Sequence, residues 1–324
     1  MSNRDFNIMN VIGLKQSFNL RLIPAILGVA TLSACAATTS PPLPRPTAAG
    51  APSSHTPQNY EPLTSTVATR STLGGSVLSW PAGSTRPNSV SLTGLRDGDT
   101  GHTEISDGTY LFVYKHGTGA TGPTSPISDG NGAYGTVGDN RFAGTYDYVR
   151  SYNINYGPAA NRSGFTGFAG VITALSDTPI GGNASYTGEV AIDKFANSAT
   201  PSTVYFNRGT STVDVDFSAG TANVVLGSFL AYTDGNNIPI AAAAAPFDQV
   251  KGTGMTISGA QFTGGYWATF QGGNWVDVVG ANPTSNSSGT FFGYDPTISA
   301  PDEVAGVFVI NGDAAIITGR YVAD

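Results

Sequence analysis

"VDVDFSAGTANVVLGSF", residues 213–229, decides the fold. Val213, Val215 and Phe217 alternate with Asp214 and Asp216. A period of two puts the apolar set on one face and the carboxylates on the other, the pattern of a half-buried strand. A second alternating run follows after a short glycine-bearing turn, so the stretch predicts strands over 210–217 and 221–230. The same texture recurs in "SVLSW" (76–80) and "TYLFVYK" (109–115). In "GNASYTGEVAI" (182–192), Tyr186, Gly188, Val190 and Ile192 share one face, and Ser185, Thr187 and Glu189 the other. No window of a dozen residues shows a clean helical period. With 42 glycines in 324 residues, short strands between turn signals predict an all-β sandwich or barrel.

Two β regions follow from about residue 73, with a seam near "TPIGGN" (178–183). Before it, 73–180 is rich in Gly, Asp and Tyr and reads as a smaller β-rich domain. The hairpin "HTEISDGTYLFVYKH" (102–116) centres on Asp107-Gly108, a two-residue turn signal that sets Ile105 opposite Tyr110 and His102 opposite Val113. After the seam, strands are predicted over 184–193, 202–207, 210–217, 221–230, 252–258, 261–270, 288–294, 303–310 and 314–322. That supply closes an eight-stranded antiparallel β-barrel over 181–324, and closure removes the edges on which β proteins aggregate. Gly188, Gly264, Gly265, Gly293 and Gly306 fall inside strand patterns, where glycine marks a bulge or a barrel corner.

"VDVDFSAGTANVVLGSF", "QFTGGYWATF" (261–270) and "SGTFFGYD" with "APDEVAGVFVING" (288–312) follow "GNASYTGEVAI" in order. This series resembles the β-barrel half of a transferrin-binding protein B lobe, as in transferrin-binding-protein-like solute-binding lipoproteins. The resemblance is close over 180–324 and loose over 73–180. It implies a β-rich handle followed by a barrel, a lipid anchor in the outer membrane, and a non-catalytic binding role that passes material to an outer-membrane transporter. Residues 73–324 amount to one lobe, so the ligand is not carried over.

The chain's single cysteine, Cys35, follows a basic stretch with Lys15 and Arg21 and the uncharged run 22–34. Thirteen residues are too few for the ~20 that span a bilayer, and fit the apolar region of a secretory signal. Leu32-Ser33-Ala34-Cys35 resembles the lipobox of bacterial lipoproteins. That implies a signal peptide over 1–34, lipid attachment at the Cys35 thiol, and acylation of the new N-terminus. Counted from Met9 the leader has the more usual length. Ala36, rather than Asp, follows the cysteine, and by the same likeness points to the outer membrane. Residues 35–72, rich in Pro, Ser, Thr and Ala, read as a tether. A leader holding three basic residues and one acidic leaves 12 basic and 21 acidic on removal, a net charge of −9. That excludes nucleic acid as a partner, since its backbone selects basic surfaces.

No catalytic constellation is found: there is no G-x-S-x-G, and no histidine placed to serve a serine. No metal site is predicted, because the loops 96–101 and 128–132 lack the ligand spacing of a calcium loop. His102 pairs with Val113, from which His116 is an odd number of residues away, so the two histidines lie on opposite faces of the hairpin; His55 is in the tether. A haem would have one axial histidine at most, and no cofactor is predicted. Ligand-binding candidates are Tyr146, Tyr148, Tyr152 and Tyr156, clustered with Phe165 and Phe168 before the seam. Tyrosine buries contact area at low entropy cost, though core packing is its commoner fate. Trp267, Phe270 and Trp275 are expected to fill or rim the barrel. Two alternatives to a protein or nutrient receptor stay open: a haem or small-solute carrier with a pocket between handle and barrel, and a structural or adhesive surface lipoprotein.

Overall fold

Alternation puts one face of every strand out of water, and the chain hides those faces in two sheets. A computed structural model describes residues 58, 60, 62–63, 71–80, 87–97, 102–106, 111–115, 125–128, 134–137, 142, 144–156, 163–196, 203–229, 232–233, 239–240 and 246–324. The leader, Cys35, His55 and His116 lie outside them. Every regular element among the described residues is a strand.

The first sheet holds β1 (Ser71–Trp80), β2 (Asn88–Asp97), β3 (His102–Ser106), β4 (Leu111–Lys115), β5 (Ser125–Ser128), β6 (Tyr134–Val137), β7 (Val149–Tyr156) and β8 (Ser163–Val171). Its order is β4-β3-β2-β1-β8-β7-β6-β5, antiparallel throughout. The β3–β4 register corrects the predicted hairpin: Ser106 stands opposite Leu111, Ile105 opposite Phe112 and His102 opposite Lys115. Four residues, not two, join the strands. β3 is also laddered to β2, with Ser106 opposite Thr93, so the strand ends where that ladder ends. A shift of two leaves the alternation unchanged.

The second sheet closes. Its wall runs β9 (Asn183–Ala196), β10 (Thr203–Asp216), β11 (Thr221–Gly227), β14 (Gln249–Ser258), β15 (Gln261–Gln271), β17 (Thr284–Phe292), β18 (Glu303–Asn311) and β19 (Ala315–Ala323), and returns to β9. The short β12 (Tyr232–Thr233), β13 (Pro239–Ile240) and β16 (Asn274–Val276) attach at its margin. This is the predicted eight-stranded antiparallel barrel behind a β-rich handle. The runs 202–207 and 210–217 are one 14-residue strand, because β9 is equally long and pairs along it. Gly209, which falls between the two predicted runs, sits opposite Val190 in the ladder. A Cβ there would lie 2.6 Å from the Phe229 ring, so close approach explains this glycine.

Inward residues of the barrel form one core: Val190 and Ile192, Val213 to Phe217 in alternation, Val224, Leu226, Phe262, Phe291, Phe308 and Tyr321 among them. The outward faces of β9, β17, β18 and β19 are apolar too, since the handle covers them. Phe142, Tyr146, Val149 and Phe168 pack on Ala191, Phe292, Ala305 and Val322. Leu78 packs on Val307, Val309 and Ile316. This double burial is why "EVAGVFVI" reads as a continuous apolar run. Polar contacts pin the two sheets: Ser76 Oγ and Thr290 Oγ1 are 3.0 Å apart and buried, and Ser89 Oγ donates to Ser288 Oγ at 2.7 Å.

Candidate functional site

At one end of the barrel, where β17 stops and β18 starts, two outward carboxylates catch the chain entering β7. Glu189 accepts from the Gly144 N–H at 2.8 Å and from the Tyr146 hydroxyl at 3.5 Å. Glu303 accepts the N–H groups of Asp147 and, at 3.0 Å, Tyr148. Arg150 donates to the carbonyls of Tyr146 and, at 2.7 Å, Val149. Glu303 is 2 % exposed. Burial pushes its carboxyl up to about 7, although both N–H bonds favour the ionised form. Asp302 is raised as well, by burial first and then by Asp295, Asp147 and Asp324. This end of the molecule is therefore strongly acidic.

A third strand of chain reaches the same place. The Tyr60 hydroxyl donates to Asp177 Oδ2 at 2.5 Å and accepts from the Ala174 N–H at 2.7 Å. Its ring lies edge-on to Tyr148, with centroids 6.3 Å apart, and stacks on Tyr294 at 6.5 Å. The Gln58 N–H donates to Asp177 at 3.0 Å, and the Leu63 N–H to the Asp147 carbonyl at 2.7 Å. Tyr60 thus touches the handle, the linker between the sheets, and the barrel. Burial, then its bond to Asp177, holds its hydroxyl well above the ordinary phenol range.

The four tyrosines singled out from sequence part company. Tyr146 is buried between handle and barrel, and Tyr148 is half-buried beside it against Tyr60. Tyr152, 2 % exposed, lies opposite Gly167 within the handle and has no solvent face. Tyr156 pairs with Ser163, and its side chain lies outside the described residues. The same holds for the His102 side chain, while the His102 backbone pairs with Lys115. Sequence reading missed Tyr60, Asp177 and Glu303. Two signals were there: Tyr60 is the sole aromatic in 36–72, and Glu303 opens an otherwise apolar run.

The barrel interior is filled by rings laid over glycines on the neighbouring strand. Trp267 lies opposite Gly252, Phe262 opposite Gly289, Tyr321 opposite Gly306 and Phe308 opposite Gly319. A Cβ on any of these glycines would fall within 2.0–2.5 Å of the facing ring. Trp267 stacks on Phe308 at 4.2 Å and 7°. Phe270 and Trp275 stand elsewhere. They pair across β15 and β16 at the far end, on the outer face with Lys251, whose Nζ lies 4.7 Å from the Phe270 centroid. Tyr266 and Trp275 are 59 % and 56 % exposed.

Fold and site together define an all-β architecture: a filled, closed barrel with an open sheet laid on its wall. The fold is similar to that of transferrin-binding protein B. A point variant of this vaccine antigen from Haemophilus parasuis Hp5 aligns at 16% identity, covering 77% of this chain and 45% of that one, with a TM-score of 0.45. Intact Ap-TbpB, with N and C lobes, aligns at 20% identity over 78% and 45%, with a TM-score of 0.44. The isotype 1 protein of serogroup B Neisseria meningitidis aligns at 19% identity over 78% and 43%, with a TM-score of 0.43. The chain spans under half the length of these proteins. No family model and no curated protein matches it.

Proposed function

We propose that this chain is a lipoprotein anchored to the outer membrane through Cys35, which captures a protein or nutrient ligand on its outer surface without catalysis. One observation carries the binding mode. Ring-over-glycine packing fills the barrel, so a ligand meets loops and outer faces rather than a lumen. A haem or small solute inside the barrel would have to displace Trp267, Phe308 and Tyr321, which are buried together. The proteins similar in fold are named for binding transferrin; for a chain under half their length we propose a protein ligand and hand-over to an outer-membrane transporter, with no identity attached. The leader run 22–34 and Leu32-Ser33-Ala34-Cys35 support the anchor.

The test has two arms. Full-length protein made in a Gram-negative host should incorporate labelled palmitate and sediment with outer membranes, and Cys35→Ser should abolish both. Purified domain should give no Soret band with added haem and should retain a protein from the host's natural fluid. A Soret band without a retained protein would replace this reading with the carrier one.

A further inference from the structure

We propose that the outward face of β14, β15 and β16 binds an uncharged polysaccharide chain, with Tyr266, Phe270 and Trp275 as its stacking platform; this rests on the reading that the ligand is met on an outer face, and gives that ligand a chemical class.

The ladder holds the three rings outside. Past the Gly264–Gly265 pair, Tyr266, Ala268 and Phe270 alternate with the inward Trp267. Thr253 stands opposite Tyr266, Lys251 opposite Ala268 and Gln249 opposite Phe270. On the other edge of β15, Trp275 stands opposite Phe270. The handle lies elsewhere on the barrel: its apolar residues pack on Ala191, Phe292, Ala305 and Val322, and on Val307, Val309 and Ile316, which belong to β9, β17, β18 and β19. Tyr266 and Trp275 are left more than half exposed. Large rings in water are unfavourable, and a paired backbone gives them no way to turn inward. Something that covers them gains the burial they lack.

Charge selects what that is. β11, β14, β15 and β16 contain a single charged residue, Lys251, and its Nζ already lies 4.7 Å from the Phe270 centroid. β9 and β10, by contrast, carry Glu189, Asp193, Lys194, Arg208, Asp214 and Asp216. The carboxylates that flank the aromatic strands in sequence serve turns: Asp248 accepts the Gly272 N–H, and Asp277 the N–H groups of Val279 and Gly280. The remaining polar groups of the face are hydroxyls and amides. Thr221, Thr256 and Thr263 form one row across β11, β14 and β15, and Ser288 of β17 extends it. An acidic polymer would find one lysine here, and a basic peptide no carboxylate within the strands. An uncharged pyranose fits both halves of the surface. Its flat C–H face meets the negative face of a ring, and its hydroxyl edge exchanges hydrogen bonds with Thr and Gln side chains. Four residues along β15 separate Tyr266 from Phe270 by about 13 Å. One sugar ring cannot touch both, so the ligand is a chain of several units.

The purified full-length chain would be run in native gels containing dextran, galactomannan, xyloglucan or mixed-linkage β-glucan, all uncharged, and in gels containing alginate. At least one uncharged polysaccharide is expected to retard the parent chain, and alginate is not. Trp275→Ala and Tyr266→Ala should each raise the apparent dissociation constant at least tenfold, Trp275→Phe should raise it less, and Asp214→Asn on β10 should leave it unchanged. Near-ultraviolet circular dichroism of the Trp267–Phe308 stack would show that each variant is folded. Retardation by none of the uncharged polysaccharides, by alginate alone, or to the same degree in both alanine variants overturns the proposal. A protein retained from the host's natural fluid and released by Trp275→Ala, with no polysaccharide bound, also overturns it and leaves the outer-surface reading standing. A Soret band with added haem instead counts against that reading itself.

Discussion

Glu303 shows how a single residue can set a pH dependence opposite to that of most carboxylates. Its carboxyl titrates at about 7 in the folded protein and at the ordinary 4.5 when unfolded. The folded state therefore holds the proton more tightly, so this group's contribution is most favourable below pH 4.5 and is lost as pH rises from 4.5 to 7. The full difference is on the order of 3 kcal/mol. Urea unfolding of the domain at pH 5.5 and at pH 7.5 should show the higher midpoint at the lower pH, and Glu303→Gln should flatten the difference. Gly319 is a second decisive position. A methyl there would sit 2.0 Å from Phe308 Cε1, against a ring already stacked on Trp267. Gly319→Ala should destabilise by about 1–3 kcal/mol through overpacking, read as a lower denaturant midpoint with an unchanged slope.

At the scale of elements, the alternation that makes strands also breaks where it must. Met255 and Gly252 both face the barrel core side, as do Phe262 and Trp267, although each pair is an odd number of residues apart. Glycines with positive φ absorb the slip: Gly254 in β14 and the Gly264–Gly265 pair in β15. At Gly265 (φ 79) a Cβ would also lie 2.8 Å from the Thr253 carbonyl oxygen. Gly265→Val should therefore lower the thermal midpoint more than Gly272→Val, whose site has open space around it. Handle and barrel are joined by buried polar pairs as well as by apolar faces. Ser76→Ala leaves Thr290 Oγ1 buried without its hydroxyl partner, at a cost of about 1–3 kcal/mol. Double substitution with Thr290→Val should recover most of that loss in a double-mutant cycle.

For the whole molecule, the acidic end and the aromatic end have different tasks. The first gathers Asp147, Asp295, Asp302 and Asp324 with Glu303 and seats the N-terminal segment; the second presents rings to solvent. Truncation before residue 71 removes Tyr60, with its bonds to Asp177 and Ala174, together with the Gln58 and Leu63 hydrogen bonds. Hydrogen exchange should then quicken at the 172–178 linker and around Tyr148, and stay slow in β18 and β19, which are buried on both faces.

Strand existence, strand faces and barrel closure were written in local alternation, because a period of two needs only neighbouring residues to declare a buried side. That β18 is buried on both faces came only with the handle laid on it. Register did not follow: the β3–β4 pairing slid by two because β2 also bids for β3, and no local turn signal contains that competition. Gly209 was legible as a glycine, but whether it turned the chain or admitted Phe229 depended on a ring twenty residues away. The site was less visible still. Tyr146, Tyr148 and Tyr152 are alike in sequence, and only packing separates a buried pin, a half-exposed neighbour and a core ring. Tyr60 meets Asp177 across 117 residues and Glu303 meets Asp147 across 156, and contacts at such separation exist only once two sheets have been laid against each other.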